Sequence, residues 1–495
     1  MNGLSERIGA VNDVLCAVNA LEWDTRVMMP KGGAATRGQQ IATLKGLARG
    51  MILDTALSDL AAEACGSDDD LTRRAGEAVV AAQRHHARIP ADLLRRRAEG
   101  SALAGQAWAE ARATSDFALF RPYLETMVAL SRETADALGF EAHPYDPMVD
   151  LFEPGETAAS LTRLFDALRD GILPILDAAR GRTRPRTDFL HRHYPVEGQQ
   201  EFCRAIAAWL GYDFARGRLD TAVHPFEISQ TRNDVRITSR WPERYLPMSI
   251  FGTIHEVGHA LYEQGLPQAL TRSVHATDLR GLYAVGGTSF GVHESQSRLY
   301  ENHVGRTPGF WALHFGTLRD IFPDQLGDVS EAEFVASINR VEPGPIRVEA
   351  DELTYDLHIM LRVRLEMAMM TGDLAPADLP GAWNEGIARD LGVTPRTDAE
   401  GCLQDMHWSH GYMGSFPTYT IGNVVAARIM AHLDAVQPSV RADLEAGDPA
   451  PLRAALCDMV WRHGRALDRR EILEKGGCGG DGVSAYLTHL QKKFG

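Results

Sequence analysis

"TIHEVGHALYEQG", Thr253–Gly265, carries two histidines four residues apart, with a glutamate directly after the first. On an α-helix, positions four apart lie about one turn from each other on the same face, so His255 and His259 can aim both imidazoles at one ion. Glu256 sits ~100° round the helix from His255, within reach of a water on that ion without joining its ligands. Ile254, Val257 and Leu261 are apolar, which predicts a buried helix, and two unpartnered imidazoles on a buried helix would be costly. The stretch predicts a hydrolytic metal site. The plain alternative is a core helix whose histidines bond to backbone carbonyls.

Catalytic zinc usually takes three protein ligands and keeps one position for water. A third histidine further along the same stretch is excluded, because Tyr262 and Gly265 stand where that longer pattern needs glycine and histidine. A carboxylate from a later helix is the other common solution. "GVHESQSRLYEN", Gly291–Asn302, offers Glu294, with Glu263 and Glu301 competing. Glu263 follows His255 by eight positions on the same helix and points along its axis beyond the ion. Glu301 lies two turns past Glu294.

Helical periodicity dominates the rest of the chain. Ile8, Val11, Leu15 and Val18 share one face, and Ile41, Leu44 and Leu47 repeat the pattern. Further helices are predicted around 71–89, 91–113, 116–139, 157–180, 197–211, 330–340, 351–371, 377–391, 422–435 and 450–465. Two segments read as strands: "DVRITSRW", Asp234–Trp241, and the Gly-rich "GLYAVGGTSFGV", Gly281–Val292. Strands and helices do not alternate, so the fold class is mainly α with a small central sheet. No linker separates independent domains, which predicts a single catalytic domain over residues 1–495.

The chain has 495 residues, 44% hydrophobic and 24% charged, with a net charge of −15. A surface of that sign disfavours nucleic acid and anionic membrane as partners, and no stretch approaches ~20 uncharged apolar residues. Six scattered cysteines without a CxxC pair argue against a disulfide framework and for a reducing, cytoplasmic setting.

Five motifs then occur in one order: "DVRIT" at Asp234–Thr238, "HEVGH" at 255–259, "HESQ" at 293–296, "IRVEAD" at 346–351 and "GCLQDMHW" at 401–408. With them the sequence resembles the carboxypeptidase Taq family of metallocarboxypeptidases, and the likeness extends to both ends of the chain. The resemblance implies a saddle-shaped, zincin-like helical fold, with two lobes flanking a deep groove and a small β-sheet beside the active site. It implies a homodimer that removes single residues from peptide C-termini with broad specificity. It also implies that the third metal ligand is Glu294. The segment between HExxH and HES is longer than the family's usual one and is expected to be a surface insertion, with His275 a loop histidine rather than a ligand.

The chemistry assigns roles to the motifs. One divalent ion per chain, zinc first and cobalt or manganese on the same donors, would acidify water and polarise the scissile carbonyl. Glu256 would be the general base. His407 and Tyr419, in the bent loop "QDMHWSHGYMGSFPTY", are candidates for the second oxyanion donor; the resemblance favours His407 over His410. An exopeptidase must hold a free α-carboxylate. Arg347 is the expected binder, at an apparent helix start, with a salt bridge to Asp351 as the alternative use of its charge. Arg236 is its rival, and the strand Asp234–Thr238, if it lies at a sheet edge, could pair with the peptide backbone, Asp234 and Thr238 lying along the substrate. Asp351, Glu349 or Asp234 would orient the ligand histidines. Two other readings remain open: a helical metallo-oligopeptidase or dipeptidyl carboxypeptidase, and a catalytically silent peptide-binding scaffold.

Overall fold

The computed structural model describes residues 2–495, and helices account for most of it. The chain divides into two compact units: Met1–His86 with Arg184–Arg340 and Gly422–Gly482, and Ala87–Thr183 with Val341–Ile421 and Val483–Gly495.

In the first unit the opening helix, Asn2–Val27, buries the expected face: Ile8, Val11, Leu15 and Val18 are at most 2% exposed. Ile8, Val11 and Leu15 pack on Ala48, Ile52, Leu57, Ala61, Val79 and Ala82 of the next helices. Helix Ala34–Ile52 forms as the sequence predicts, but Leu47 is solvent-exposed; the small Ala48 and the terminal Ile52 make the core contact instead, one position round the helix.

The sheet has three strands, β1 (Gly217–Thr221), β2 (Glu227–Thr231) and β3 (Asp234–Ser239), in the order β1-β3-β2. β3 is therefore central, parallel to β1 and antiparallel to β2. Both of its edges are already hydrogen-bonded, so it has no free edge on which a peptide could pair, contrary to the sequence-based expectation. The second expected strand, Gly281–Val292, is absent. Its Tyr283 makes only an isolated bridge to the preceding Asp278, and its last residues open the helix Phe290–Arg298, capped where the Ser289 hydroxyl accepts from Val292 N at 3.1 Å. Glycines and β-formers gave a strand-like composition to what is a turn-rich connection.

That connection is not a surface insertion either. Val274, Leu279 and Ala284 join the core of the opening helix, and the Asn12 amide donates to Thr277 Oγ1 and Ala284 O at 2.8 and 2.7 Å. His275 is a loop histidine, as expected, but a buried one that pairs with Leu71 O at 3.0 Å.

The HExxH stretch lies on helix Leu246–Gly265, which starts with Pro247 in its first turn and is buried on nearly every face. Gly258 lets this helix meet helix Phe290–Arg298 backbone to backbone: a Cβ there would stand 2.6 Å from both Gln296 O and Ser297 Cα. A π-helical turn, Leu299–Gly305, continues the second helix.

The second unit is built round helix Tyr355–Thr371, nearly all buried and ended by Gly372 at φ +92°. It starts four residues later than the pattern suggests because Asp351 caps the preceding turn, accepting from Leu353 N and Thr354 N at 3.0 Å. The C-terminal helix, Gly482–Phe494, is tied to this unit where His489 and Lys493 both reach Glu352 at 2.6 Å.

Candidate metal and substrate centres

Helix periodicity puts His255 and His259 on one face of the motif helix. The helix that packs on it at Gly258 supplies Glu294 opposite them. His255 Nε2 and His259 Nε2 lie 3.7 and 3.2 Å from Glu294 Oε2. The three donor atoms fall within 4.8 Å of one another, the one such group of three or more His, Cys, Asp or Glu among the described residues. Arg298 Nε holds the other carboxylate oxygen, Oε1, at 2.8 Å, which leaves Oε2 turned toward the imidazoles. Two imidazole nitrogens and one carboxylate oxygen converging on a point form the donor set of a catalytic zinc site, so these residues fit the ion that the sequence implies.

The electrostatics fit it too. Burial alone would raise Glu294, but His255, Arg298 and His259 outweigh it and hold the carboxyl well below its usual range. Burial pushes His259 down to about 3, so it is neutral, the form that can ligate. Burial opposes charge on His255 and His293 as well, yet the surrounding carboxylates raise both: Glu294 and Glu301 for the first, Glu263 and Glu227 for the second. Glu256, 5% exposed and next to His255 on the helix, is raised to about 7, by burial first and then by Glu294 and Glu301 against the pull of His255 and His293.

The two competitors for third ligand stand behind the imidazoles instead. Glu301, on the π-helical turn, accepts from His255 Nδ1 at 3.1 Å through Oε2 and from Arg306 Nη2 at 3.1 Å through Oε1. Opposed by burial but held by His255, Arg298 and Arg306, it sits at about 2. Glu263 Oε1 meets His293 Nε2 at 2.8 Å, and His293 Nδ1 meets His259 Nδ1 at 2.6 Å. The positions behind the ligand histidines are thus filled by Glu301 and His293, not by Asp351, Glu349 or Asp234 as expected from the sequence.

β3 uses its motif residues internally. Arg236 pairs with Asp234 through Nε and Nη2 at 2.7 and 2.8 Å and lies 4.7 Å over the Trp23 ring. Thr238 is fully buried, its hydroxyl accepting from Phe226 N at 2.9 Å and donating to Phe226 O at 3.2 Å. Thr238 therefore has no surface left for a substrate.

In the second unit the structure brings Arg347, His407 and Tyr419 together. His407 Nε2 is 3.1 Å from the Tyr419 hydroxyl, and the Arg347 guanidinium lies 5.2 Å over the Tyr419 ring. Arg347 stands on a single 3-10 turn, Arg347–Glu349, rather than at a helix start, so no helix terminus assists it. Its partner is Asp405, not Asp351: Nη2 and Nε reach Asp405 Oδ1 at 2.6 and 3.1 Å, and Nη1 donates to Tyr355 OH at 3.0 Å. Arg362 takes Asp405 Oδ2 at 2.6 Å. Burial would raise Asp405, but the two guanidiniums and His407 hold it far below the usual carboxylate range. Burial drives His407 down to about 3, against the pull of Asp405, so the imidazole is neutral.

A HExxH helix, a carboxylate from the following helix and a basic cluster define a helical metallopeptidase. The chain belongs to the carboxypeptidase Taq (M32) metallopeptidase family, whose model matches residues 3–494, and it is a metallocarboxypeptidase. It is 39% identical over 500 residues to thermostable carboxypeptidase 1 of Thermus thermophilus, covering 97% of this chain and 95% of that one. It is 36% identical over 482 residues to carboxypeptidase 1 of Bacillus subtilis, covering 97% and 94%. The crystal structure of the M32 carboxypeptidase from Deinococcus radiodurans superposes with a TM-score of 0.94 at 37% identity, covering 100% of this chain and 98% of that one.

Asp405 was within a quoted motif and still escaped sequence reasoning as a partner, because it lies 58 positions from Arg347. Glu366 escaped it entirely. This buried carboxyl accepts from Trp408 Nε1 at 2.8 Å, Tyr145 OH at 2.6 Å and Gly414 N at 3.2 Å, pinning both ends of the loop that carries His407. An acidic residue among the methionines and leucines of "LEMAMM", Leu365–Met370, was the available signal.

Proposed function

We propose that His255 and His259 through Nε2, with Glu294 through Oε2, hold one divalent ion, zinc by preference with cobalt or manganese able to use the same donors. Bound there, such an ion acidifies water from a pKa of about 15.7 toward ~7 and polarises a peptide carbonyl. Glu256 takes the proton of the attacking water on its carboxylate and passes it to the leaving amine. A neutral His407 shares one hydrogen bond with the Tyr419 hydroxyl through Nε2, and these two are the donors for the oxygen of a tetrahedral intermediate.

Arg347 receives the substrate's α-carboxylate. Two guanidiniums on the one carboxylate of Asp405 leave the cluster with a net positive charge, and three of the five N–H groups of Arg347 are spent, leaving two to donate. Arg236, already neutralised by Asp234, is the weaker candidate. The substrates are peptides, cut one residue at a time from the C-terminus with broad preference. The protein acts as a cytoplasmic homodimer, each chain a single catalytic domain.

The observation that carries this reading is the convergence of both Nε2 atoms on Glu294 Oε2. The test is Glu256→Gln: metal content stays at one ion per chain while release of free amino acids from a short peptide falls by orders of magnitude. A variant that stays active removes Glu256 from the role. Amidation of the peptide's C-terminus stops the wild-type enzyme, whereas cleavage of the amidated peptide would make it an oligopeptidase.

A further inference from the structure

The two ligand histidines are backed differently. His255 Nδ1 faces a carboxylate directly, Glu301 Oε2 at 3.1 Å. His259 Nδ1 faces another imidazole, His293 Nδ1 at 2.6 Å, and only behind it comes a carboxylate, Glu263 Oε1, 2.8 Å from His293 Nε2. The His259 and His293 rings are 21° from coplanar with centroids 4.6 Å apart, so the contact is edge to edge through the two nitrogens, not face to face. Tyr262 lies edge-on to the His293 ring at 5.0 Å and fixes its plane.

A nitrogen-to-nitrogen contact needs one donor and one acceptor. An imidazole that gives its Nε2 lone pair to an ion carries its proton on Nδ1, so His259 is the donor. Glu263 and Glu227 favour charge on His293 in the ion-free site; with His259 giving its Nε2 lone pair to an ion and donating from Nδ1, His293 is neutral, accepts at Nδ1 and keeps its proton on Nε2, where the Glu263 carboxylate accepts it. Every hydrogen in the row has one place. Helix spacing builds it: Glu263 follows His259 by four residues, and His293 precedes Glu294 by one, so the second helix sends one side chain to the front of His259 and its neighbour to the back.

We propose that Glu263 and His293 are positioning residues, forming a directed hydrogen-bond row that fixes His259 as its Nδ1–H tautomer and aims its Nε2 at the ion, with Glu263 acting only through His293. The proposal rests on the metal reading above. Groups behind a ligand histidine typically govern metal affinity by about 10–100-fold.

The test is a zinc competition titration of the apo protein, with the visible spectrum of the cobalt-substituted protein as a second readout. His293→Gln is expected to weaken zinc binding by about 10–100-fold and Glu263→Gln by up to about tenfold. The double variant binds zinc no more weakly than His293→Gln alone, because Glu263 has lost its path. Both single variants shift the cobalt bands, which a merely structural role would leave in place, and Glu263→Gln, an isosteric change, keeps the test open if His293→Gln fails to fold. Unchanged zinc affinity and unchanged cobalt bands in Glu263→Gln, or additive losses in the double variant, would overturn the row while leaving the wild-type site intact. Absence of stoichiometric zinc binding by the wild type would instead sink the metal reading itself.

Discussion

Arg347 is bound to Asp405, both of its contacts falling on Oδ1, while Arg362 occupies Oδ2 of the same carboxylate. Removing the shared charge leaves two buried guanidiniums without a counter-ion. Asp405→Asn is therefore expected to cost about 3–5 kcal/mol of unfolding free energy. Arg347→Ala leaves a matched Arg362–Asp405 pair and costs less than that. Its effect falls on the substrate, raising KM for free-acid peptides by at least about tenfold. Urea unfolding and steady-state kinetics on the two variants check the split. A similar KM for Arg347→Ala and wild type would move the carboxylate site elsewhere.

His407 supplies a pH prediction with a definite sign. Burial takes its imidazole from 6.5 to about 3, so between those values the unfolded chain binds a proton that the native state does not. Stability then falls as pH falls through that window. His407→Gln removes this contribution and is expected to flatten the stability curve between pH 6 and 4. Because His407 stays neutral throughout the working range, the acid limb of the kcat/KM profile keeps its position in the variant even as kcat drops by about 10²–10³. A shifted limb would mean that His407 titrates during turnover.

The parts of the site that were legible in the sequence are those that a single helix turn or a short motif encodes. His255, Glu256 and His259 lie within five residues, and their register follows from helical spacing alone. Glu294 needed one further piece of information, the next helix, and the residues by themselves favoured it without removing Glu263 and Glu301 as competitors. All three turned out to serve the same two imidazoles, one in front and two behind. Sequence spacing cannot separate front from back, because that depends on which ring nitrogen faces which helix. The small sheet was expected and is present, with β3 at the expected Asp234, but its other strands were not legible, for a different reason. β1 and β2 are short and polar, "GRLDT" and "EISQT", so they lack the apolar alternation that marks a strand, while Gly281–Val292 has the composition without the pairing. The order β1-β3-β2 is a tertiary fact, and it removed the edge on which the substrate role of Asp234–Thr238 depended.

Glu366 gives a second pH dependence, of opposite sign. Burial raises its carboxyl from 4.5 to about 7 despite three donors. Between those values the native state keeps a proton that the unfolded chain releases, so stability falls as pH rises through the window and is lowest above it. Glu366→Gln cannot ionise and is expected to lose less stability than wild type between pH 5 and pH 8, measured by urea midpoints. Parallel losses in the two proteins would show that Glu366 is ionised throughout. At pH 5 the variant costs about 1–2 kcal/mol, since an amide cannot accept from Trp408, Tyr145 and Gly414 together.

Gly258 tests whether the metal site depends on how closely two helices approach. A methyl group there meets Gln296 O and Ser297 Cα at 2.6 Å, and backbone cannot rotate away as a side chain can. Helix Phe290–Arg298 must shift, at a cost of about 1–3 kcal/mol. Glu294 is two residues before Gln296 on that helix, so its Oε2 moves away from the two Nε2 atoms as the helix does. Gly258→Ala is thus expected to lower both the unfolding midpoint and the affinity for zinc. Gly316 is the control: it lies inside helix Pro308–Ile321 with no atom within 4 Å of an added Cβ. Gly316→Ala should stabilise by about 0.4–1 kcal/mol through helix propensity and leave zinc affinity unchanged. If Gly258→Ala loses stability but binds zinc as tightly as wild type, the carboxylate follows the imidazoles independently of its helix, and the tight packing at Gly258 serves the fold alone.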